Sequence, residues 1–356
     1  MAIHRDKDMM KQQIRAWNVG NNMIFGFFIA CIVGILIKFK YKLEFKPEST
    51  ERFVIRPLPW PSSHPPRNCY WATLQGRRSV LEDRVTCETN LKVPLFGRHD
   101  VRMGAVAVFD GHYGISASEI ASKFLLQRFM LHLNNSIEQS SDLKEILKSS
   151  LLATINETDT EFSKLASKRH LKAGSTAVVA LIYNNHVLVA NVGDSKAFLC
   201  SQKIISHEDG AASLAGLRAK ELTRDHNAYR LDEKARVEAS GGVFTIIHNY
   251  VPLLMGHFPM TRAIGDFPLK RYGIIADPEV TDWLSLTLKD EFLVVASDGI
   301  FESLTPQAVC DFLNEVEDYS DPSSVAHQLI QKAYLEGSND DLSVVFVPFG
   351  SKVGIY

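Results

Sequence analysis

The residues with the clearest chemical potential are acids that adjoin apolar, strand-like runs. Asp110 ends Ala-Val-Ala-Val-Phe, Asp298 ends Leu-Val-Val-Ala-Ser, and Asp194 follows Val-Leu-Val-Ala-Asn-Val-Gly. Asp340-Asp341 precedes Leu-Ser-Val-Val-Phe-Val, and Glu82-Asp83 adds two more carboxylates. An aspartate next to a glycine after a strand is, taken singly, ordinary turn chemistry. Several such residues at strand ends make a shared site the better interpretation.

A shared site of this kind would require cations. Strand ends of one sheet can converge at one edge, where carboxylates repel one another and lose hydration unless positive charge neutralises them. Ligand sets made only of oxygen favour Mg²⁺ or Mn²⁺ over Zn²⁺. Two such ions about 3.5–4 Å apart can hold a bridging water as hydroxide for in-line attack on a phosphoryl group. The pattern therefore predicts metal-dependent phosphoester hydrolysis.

The elements that must position these acids form a mixture of strands and helices after about Tyr70. Strands are predicted over residues 104–109, 175–183, 186–192, 292–297 and 342–347. Asn184-Asn185 predicts a two-residue hairpin turn and hence antiparallel pairing. Helices are predicted from about Ser116 to Leu133, from Asp142 to about Lys168, and after the capping pairs Thr305-Pro306 and Asp321-Pro322. Residues 201–220 are interpreted as a flexible insert or docking loop.

Composition limits the classes of function. With 356 residues and 46% hydrophobic content, the chain can form one domain of about 250–300 residues with an appendage. A formal net charge of −2 gives no general attraction to nucleic acid, so no nucleic-acid partner is expected. The five cysteines are odd in number and lack Cys-x-x-Cys spacing, which favours reduced thiols in a reducing compartment.

The first part of the chain predicts a membrane anchor. Met23 to Ile37 contains no charged side chain, and we divide the chain into a short tail (1–22), a transmembrane segment (23–40), a Pro-rich linker (41–68) and a catalytic domain (69–350). A cleaved signal peptide is the alternative, although no small-x-small cleavage site follows. A slight excess of Lys and Arg after the segment predicts a single-pass protein with its catalytic domain in the cytosol.

Eight ordered motifs together resemble the protein phosphatase 2C family of metal-dependent serine/threonine phosphatases. They are Arg78-Ser-Val-Leu-Glu82-Asp83, Val108-Phe-Asp110-Gly111-His112-Tyr-Gly114, Gly174-Ser-Thr-Ala177, Asn191-Val-Gly-Asp194-Ser195, Leu222-Thr-Arg-Asp225-His226, Thr261-Arg-Ala-Ile-Gly-Asp266, Ala296-Ser-Asp298-Gly299 and Ser338-Asn-Asp340-Asp341-Leu-Ser343. The resemblance extends from Tyr70 to Phe349. It implies an α+β fold, a four-layer αββα sandwich with two central antiparallel sheets flanked by helices.

The same resemblance implies roles for individual residues. Asp110 would bridge two ions, Mg²⁺ or Mn²⁺, with Gly111 serving one through its carbonyl. The remaining implied ligands are Glu82, Asp298 and Asp340, Asp83 through water, and Asp194 for a weaker third ion. Arg78 would grip the substrate phosphate, since a planar guanidinium suits two phosphate oxygens. His112 would be the general acid that protonates the departing oxygen.

Some features depart from the family pattern. Asp341 stands where the family usually has asparagine, and its extra charge could alter metal affinity. Lys196 replaces a common arginine, and Asn227-Ala228 replaces a frequent proline. His226, Arg262 and Asp266 are expected to order loops, and residues 244–258 occupy the place of the family's flap.

The predicted substrates are phosphoserine and phosphothreonine proteins, attacked by hydroxide bound between two metals, and the chain is expected to be a monomer. The alternative function is a membrane-tethered pseudophosphatase or scaffold that binds phosphoproteins or kinases. A metal-dependent nuclease would need a basic groove that this composition does not indicate.

Overall fold

The computed structural model describes residues 68–93, 101–136, 142–206, 212–246 and 252–350. The predicted tail (1–22), anchor (23–40) and, except for Asn68, linker (41–68) lie outside these ranges. Among the described residues, no helix combines the length and the apolar character needed to cross a bilayer.

Regular elements alternate along the described ranges. The strands are β1 Tyr70–Leu74, β2 Arg84–Val93, β3 Val101–Phe109, β4 Gly111–His112, β5 Gly174–Ser175, β6 Ala177–Tyr183, β7 His186–Val192, β8 Lys196–Ser206, β9 Ala212–Glu221, β10 Phe244–Thr245, β11 Leu253–Leu254, β12 Ile264–Gly265, β13 Glu279–Val280, β14 Leu284–Ser285, β15 Asp290–Ala296 and β16 Leu342–Pro348. The helices are α1 Ser116–Ser136, α2 Leu143–Arg169, α3 Leu231–Ala239, α4 Phe267–Lys270, α5 Asp298–Phe301, α6 Pro306–Glu315 and α7 Pro322–Leu335.

Two antiparallel sheets form the centre of the fold. One has the strand order β1-β16-β15-β8-β9, and the other has β13-β7-β6-β3-β2 with β14 also beside β7. Their central strands are nearly continuous runs of valine, alanine, leucine and isoleucine, and both faces of these strands are buried. Because both faces need apolar cover, the strands lack the alternation of polar and apolar residues that a half-exposed strand shows.

The cover comes from the opposite sheet on one face and from helices on the other. Val106, Val178 and Val345 belong to the core between the two sheets. Phe129 of α1 and Leu151 of α2 pack against the outer face of the six-stranded sheet, and Leu329 of α7 packs with residues of the other sheet. The layers are therefore helix, sheet, sheet, helix, and the predicted α+β sandwich is confirmed.

Most predicted elements are confirmed to within a few residues. Asn184 and Asn185 both have positive φ angles, 52° and 59°, as a tight hairpin turn of the predicted kind requires. Asp142, Thr305 and Asp321 each cap a helix with a side-chain oxygen. The flexible insert predicted at residues 201–220 is wrong for the described part, because residues 201–206 and 212–220 lie in the paired strands β8 and β9. The alternative of a docking loop stays a prediction.

The cysteines correct a second expectation. Cys69 forms a disulfide with Cys87, with a Cα–Cα distance of 5.9 Å, and Cys200 forms one with Cys310 at 5.4 Å. Both distances suit a disulfide. Free thiols were therefore the wrong prediction for these four residues, and Cys31 lies outside the described ranges. Pairing across 18 and 110 residues depends on the fold, so sequence spacing carried no signal.

Candidate active site

The acids predicted at strand ends lie together, at the ends of strands from both sheets. Asp110 follows β3 and Asp194 follows β7 in the six-stranded sheet, whereas Asp298 follows β15 and Asp340 precedes β16 in the other. Asp83 comes directly before β2. The acids influence one another's protonation, so they form one electrostatic cluster. The expectation of a single sheet edge was too simple, because the two facing sheets share the site.

Asp110 and Asp298 form the centre of this acidic cluster. Burial raises the pKa of Asp110 well above its ordinary value, and the nearby charges of Asp298 and Asp83 raise it further. The pKa of Asp298 is also raised, mainly by burial, although a hydrogen bond from Asp110 opposes the shift. Without a cation, two neighbouring buried carboxyl groups are most stable when one keeps a proton that it donates to the other.

Two further acids have buried oxygens without hydrogen-bond donors. Neither carboxylate oxygen of Asp83 has a partner of good geometry, and burial raises its pKa to about 7 despite the nearby hydroxyls of Ser343 and Ser297. Oδ1 of Asp194 is also unpartnered, and burial together with Asp298 and Asp225 raises its pKa well above the ordinary value. Buried carboxylate oxygens without donors are costly unless another positive group reaches them.

Thr176 fixes the relative position of two strand ends. The backbone N–H of Asp110 donates to Oγ1 of Thr176 at 3.0 Å, and the Thr176 N–H donates to the Asp110 carbonyl at 2.9 Å. The same hydroxyl hydrogen-bonds Oγ of Ser195 at 2.8 Å, next to Asp194. The Gly-Ser-Thr motif therefore ties the Asp110 and Asp194 loops together, a role that the sequence analysis did not assign.

Arg78 lies at the open side of the cluster. Its Nη2 contacts Oδ2 of Asp340 at 2.5 Å, and its Nη1 lies 3.9 Å from Oε2 of Glu82. Burial alone would lower the pKa of Arg78, but the charge and the hydrogen bond of Asp340 outweigh it, and the pKa is raised. The side chain is 44% exposed, so its remaining N–H groups can meet a ligand from solvent. Oε1 of Glu82 accepts from the Gly114 N–H at 2.7 Å.

His112 has a buried acidic partner. Its Nε2 lies 2.7 Å from Oδ2 of Asp266, and its Nδ1 is buried without a partner. The pair forms beside Gly174, where a Cβ atom would lie 2.3 Å from both of these atoms, so only glycine fits. The ring also packs against Phe258, in the segment predicted as a flap. Asp266 therefore contacts His112 directly, and its expected role in ordering a loop stays a prediction.

Gly111 lies in the short β4 strand, where it pairs with Ser175 of β5. The described residues contain no set of three acidic, histidine or cysteine side chains already arranged as a metal site. The donor chemistry nevertheless fits hard cations. Asp83, Asp194 and Asp298 all present buried carboxylate oxygens without donors, within one cluster whose pKa values are raised. Divalent cations bound by oxygen would satisfy these atoms.

Known proteins share both the sequence and the fold of this chain. A family model described as protein phosphatase 2C matches residues 69–342. The chain is 36% identical to a putative protein phosphatase 2C 76 from Oryza sativa subsp. japonica, over 80% of this chain and 74% of that protein. It is 34% identical to a probable protein phosphatase 2C 51 from Arabidopsis thaliana, over 87% and 76% of the two chains. A crystal structure of serine-threonine phosphatase 2C from Toxoplasma gondii, at 22% identity, has the same fold, with a TM-score of 0.64 over 81% of this chain and 98% of that one.

Proposed function

Because this chain belongs to the protein phosphatase 2C family and is a protein serine/threonine phosphatase, we propose that it uses two divalent cations, Mg²⁺ or Mn²⁺, held by the acidic cluster. The observation that carries the proposal is the group of buried, mutually repelling carboxylates with unpartnered oxygens. When bound, such ions would neutralise these carboxylates and activate a water for attack on phosphorus. The substrates would be phosphoserine and phosphothreonine proteins, and the enzyme would act as a monomer without nucleic acid.

The proposed ligands divide by their position. Asp110 is central enough to serve both ions, with the Gly111 carbonyl next to it in the chain. Glu82, Asp298 and Asp340 would complete the coordination, Asp83 would act through water, and Asp194 would serve a weaker third ion. The support for this division is the mutual influence of Asp110, Asp298 and Asp194, together with the contact of Asp340 with Arg78.

Arg78 and His112 would act on the substrate itself. The exposed part of the Arg78 guanidinium would hold phosphate oxygens, while Asp340 keeps the side chain at the edge of the cluster. His112 would give a proton to the departing serine or threonine oxygen. Asp266, buried and hydrogen-bonded to Nε2, would hold the ring so that Nδ1 is the nitrogen that faces the reaction.

The decisive experiment measures hydrolysis of a phosphothreonine peptide by the purified chain. We expect activity with Mg²⁺ or Mn²⁺, its loss on chelation, and its return when the ion is restored. Binding of Mn²⁺ should also raise the thermal unfolding midpoint, which can be measured without turnover. Negligible hydrolysis under all conditions, with retained binding of the phosphopeptide, would instead favour the scaffold function.

We also propose that residues 23–40 anchor the protein in a membrane. The support is the uncharged run from Met23 to Ile37. Four of the cysteines pair, so free thiols give no support for a cytosolic domain. The proposed orientation, with the catalytic domain in the cytosol, rests on the larger number of Lys and Arg residues after the segment than before it. These residues are Arg5, Lys7, Lys11 and Arg15 before the segment, and Lys38, Lys40, Lys42, Lys46, Arg52 and Arg56 after it.

The anchor and its orientation can be tested in the same cells. We expect the full chain to stay with membranes after alkaline extraction, and a chain without residues 1–42 to be released. Asn134 and Asn156 are both exposed and both lie in Asn-x-Ser/Thr sequences, so a glycan on either residue would show that the domain faces a lumen. Release of the full chain by alkaline extraction would contradict the anchor.

A further inference from the structure

The segment from Gly76 to Glu82, here called the Arg78 segment, carries two proposed active-site residues but no helix or strand. Its position is therefore set by the contacts that it makes. It lies against the turn from Asn339 to Asp341, which directly precedes β16. The Arg77 N–H donates to the Asn339 carbonyl at 2.9 Å.

Asp341 holds both ends of the Arg78 segment. The Gly76 N–H donates to its Oδ1 at 3.1 Å, and the Glu82 N–H donates to its Oδ2 at 2.7 Å. Asp341 is only 3% exposed, so water does not compete strongly for these oxygens. The carboxylate is directed at backbone amides on either side of Arg78, and this explains how an additional acid is accommodated beside the acidic cluster.

The contact at Gly76 is also very close. A Cβ atom on Gly76 would lie 2.0 Å from the carbonyl oxygen of Asp340, so the backbone of the segment rests directly on the turn. The turn is itself fixed, because the Asn339 N–H donates to Oε2 of Glu302 at 2.8 Å. Asp340 therefore faces Arg78 from a turn that is held on both sides.

We propose that Asp341 is a positioning residue that sets Arg78 in place for phosphate binding, because it holds the backbone of the segment at Gly76 and at Glu82. The inference rests on the proposed function of Arg78. A carboxylate has two acceptor oxygens, one for each amide, whereas asparagine has one oxygen and an NH₂ group that would face the other N–H. The aspartate at this position, where the resembled family usually has asparagine, holds both ends of the segment at once.

The test compares inhibition by inorganic phosphate in single and double variants, assayed with Mn²⁺ and a phosphothreonine peptide. We expect Asp341→Asn to raise the inhibition constant for phosphate about tenfold. This is the effect of losing one hydrogen bond to a charged group, here one of the two that the Asp341 carboxylate accepts from the segment. Arg78→Ala should raise it more. The double variant should match Arg78→Ala alone, because Asp341 acts through Arg78.

Asp290→Asn is the matched control. Asp290 is 8% exposed and accepts hydrogen bonds from the Thr287 N–H and the Ser201 hydroxyl, at the start of β15 and away from the cluster. Both Asp290→Asn and Asp341→Asn should lower the unfolding midpoint, since each removes a hydrogen-bond acceptor from a buried side chain, but Asp290→Asn should leave phosphate inhibition unchanged. If Asp341→Asn does not fold, Gly76→Ala displaces the same segment, and the same loss of phosphate inhibition is expected.

The outcomes separate this inference from the proposed function. A wild-type chain without metal-dependent hydrolysis, or an Arg78→Ala variant with unchanged phosphate inhibition, would refute the role of Arg78. If Arg78→Ala weakens inhibition and Asp341→Asn does not, only the positioning role fails. It also fails if the effects of the two substitutions multiply in the double variant.

Discussion

Replacing Asp110 with asparagine is expected to lower the rate of hydrolysis of a phosphothreonine peptide by a factor on the order of a thousand. The same substitution is expected to stabilise the metal-free protein. The loss follows because Asp110 is the proposed ligand of both ions, and metal ions supply several kcal/mol of transition-state stabilisation. The gain follows because a neutral amide removes one member of a buried, like-charged group. We expect the unfolding midpoint in chelator to rise by several degrees.

The control for Asp110→Asn is Asp282→Asn, which changes an exposed aspartate and should alter neither quantity. Added Mn²⁺ should raise the midpoint of the wild type but not that of Asp110→Asn. An Asp110→Asn chain that is both inactive and less stable in chelator would mean that the carboxylate has an ordinary structural role.

The same cluster sets the pH dependence of the metal-free protein. The pKa of Asp83 is raised from 3.8 to about 7 on folding, mainly by burial. The folded chain therefore binds more protons than the unfolded chain within this window, and the cluster destabilises the protein as the pH rises from about 4 to about 7. In chelator, the fall in midpoint between pH 5 and pH 8 should be smaller for Asp110→Asn than for the wild type.

Replacing Glu233 with alanine is expected to reduce the free energy of unfolding by about 3–5 kcal/mol. The side chain of Glu233 is 1% exposed and forms bidentate hydrogen bonds of 2.7 Å with Arg236. It also accepts from Arg262 at 2.6 Å and from the Thr261 hydroxyl at 2.6 Å. Alanine would leave these two guanidinium groups without the carboxylate that compensates them.

Urea unfolding measures this loss, and Glu238→Ala is the control on the same helix. Glu238 forms only an exposed pair with Lys234 at 3.8 Å, which is worth less than about 1 kcal/mol. Equal losses for the two variants would contradict the assigned role of Glu233.

The stabilisation by Glu233 should also depend on pH. Burial alone would raise the pKa of Glu233, but hydrogen bonding to the arginines outweighs burial and lowers this pKa below its ordinary 4.5. Glu233 therefore stabilises the folded protein above about pH 4.5, and this stabilisation is lost as the pH falls below that value.

The sequence predicted the site best where an acidic residue directly follows an apolar, strand-like run. Asp110 and Asp298 were predicted to converge because apolar runs end directly before them, and the structure brings them into hydrogen-bonding contact. The same reasoning could not identify the partner of Glu233, because Arg262 is distant in sequence and reaches it only after the chain folds. Local patterns predict elements and their ends, but long-range side-chain pairs depend on packing.

Two other positions show a limit of motif reasoning. Asp266 and Asp341 both lie in recognised motifs, yet the first was interpreted as a loop residue and the second as extra charge near the metals. The structure places Asp266 against His112 and directs Asp341 to backbone amides. A motif indicates that a residue matters, whereas the role depends on which donors surround it.

The Cys69–Cys87 bond would have a mechanical consequence if the proposed N-terminal anchor holds this protein at a membrane. Among the strands that the structure describes, β1 pairs only with β16 at the edge of its sheet, whereas Cys87 lies in β2 of the other sheet. Tension applied before residue 69 would otherwise peel β1 away one hydrogen bond at a time. With the covalent link, the same pull is shared between both sheets at the point where it enters the domain.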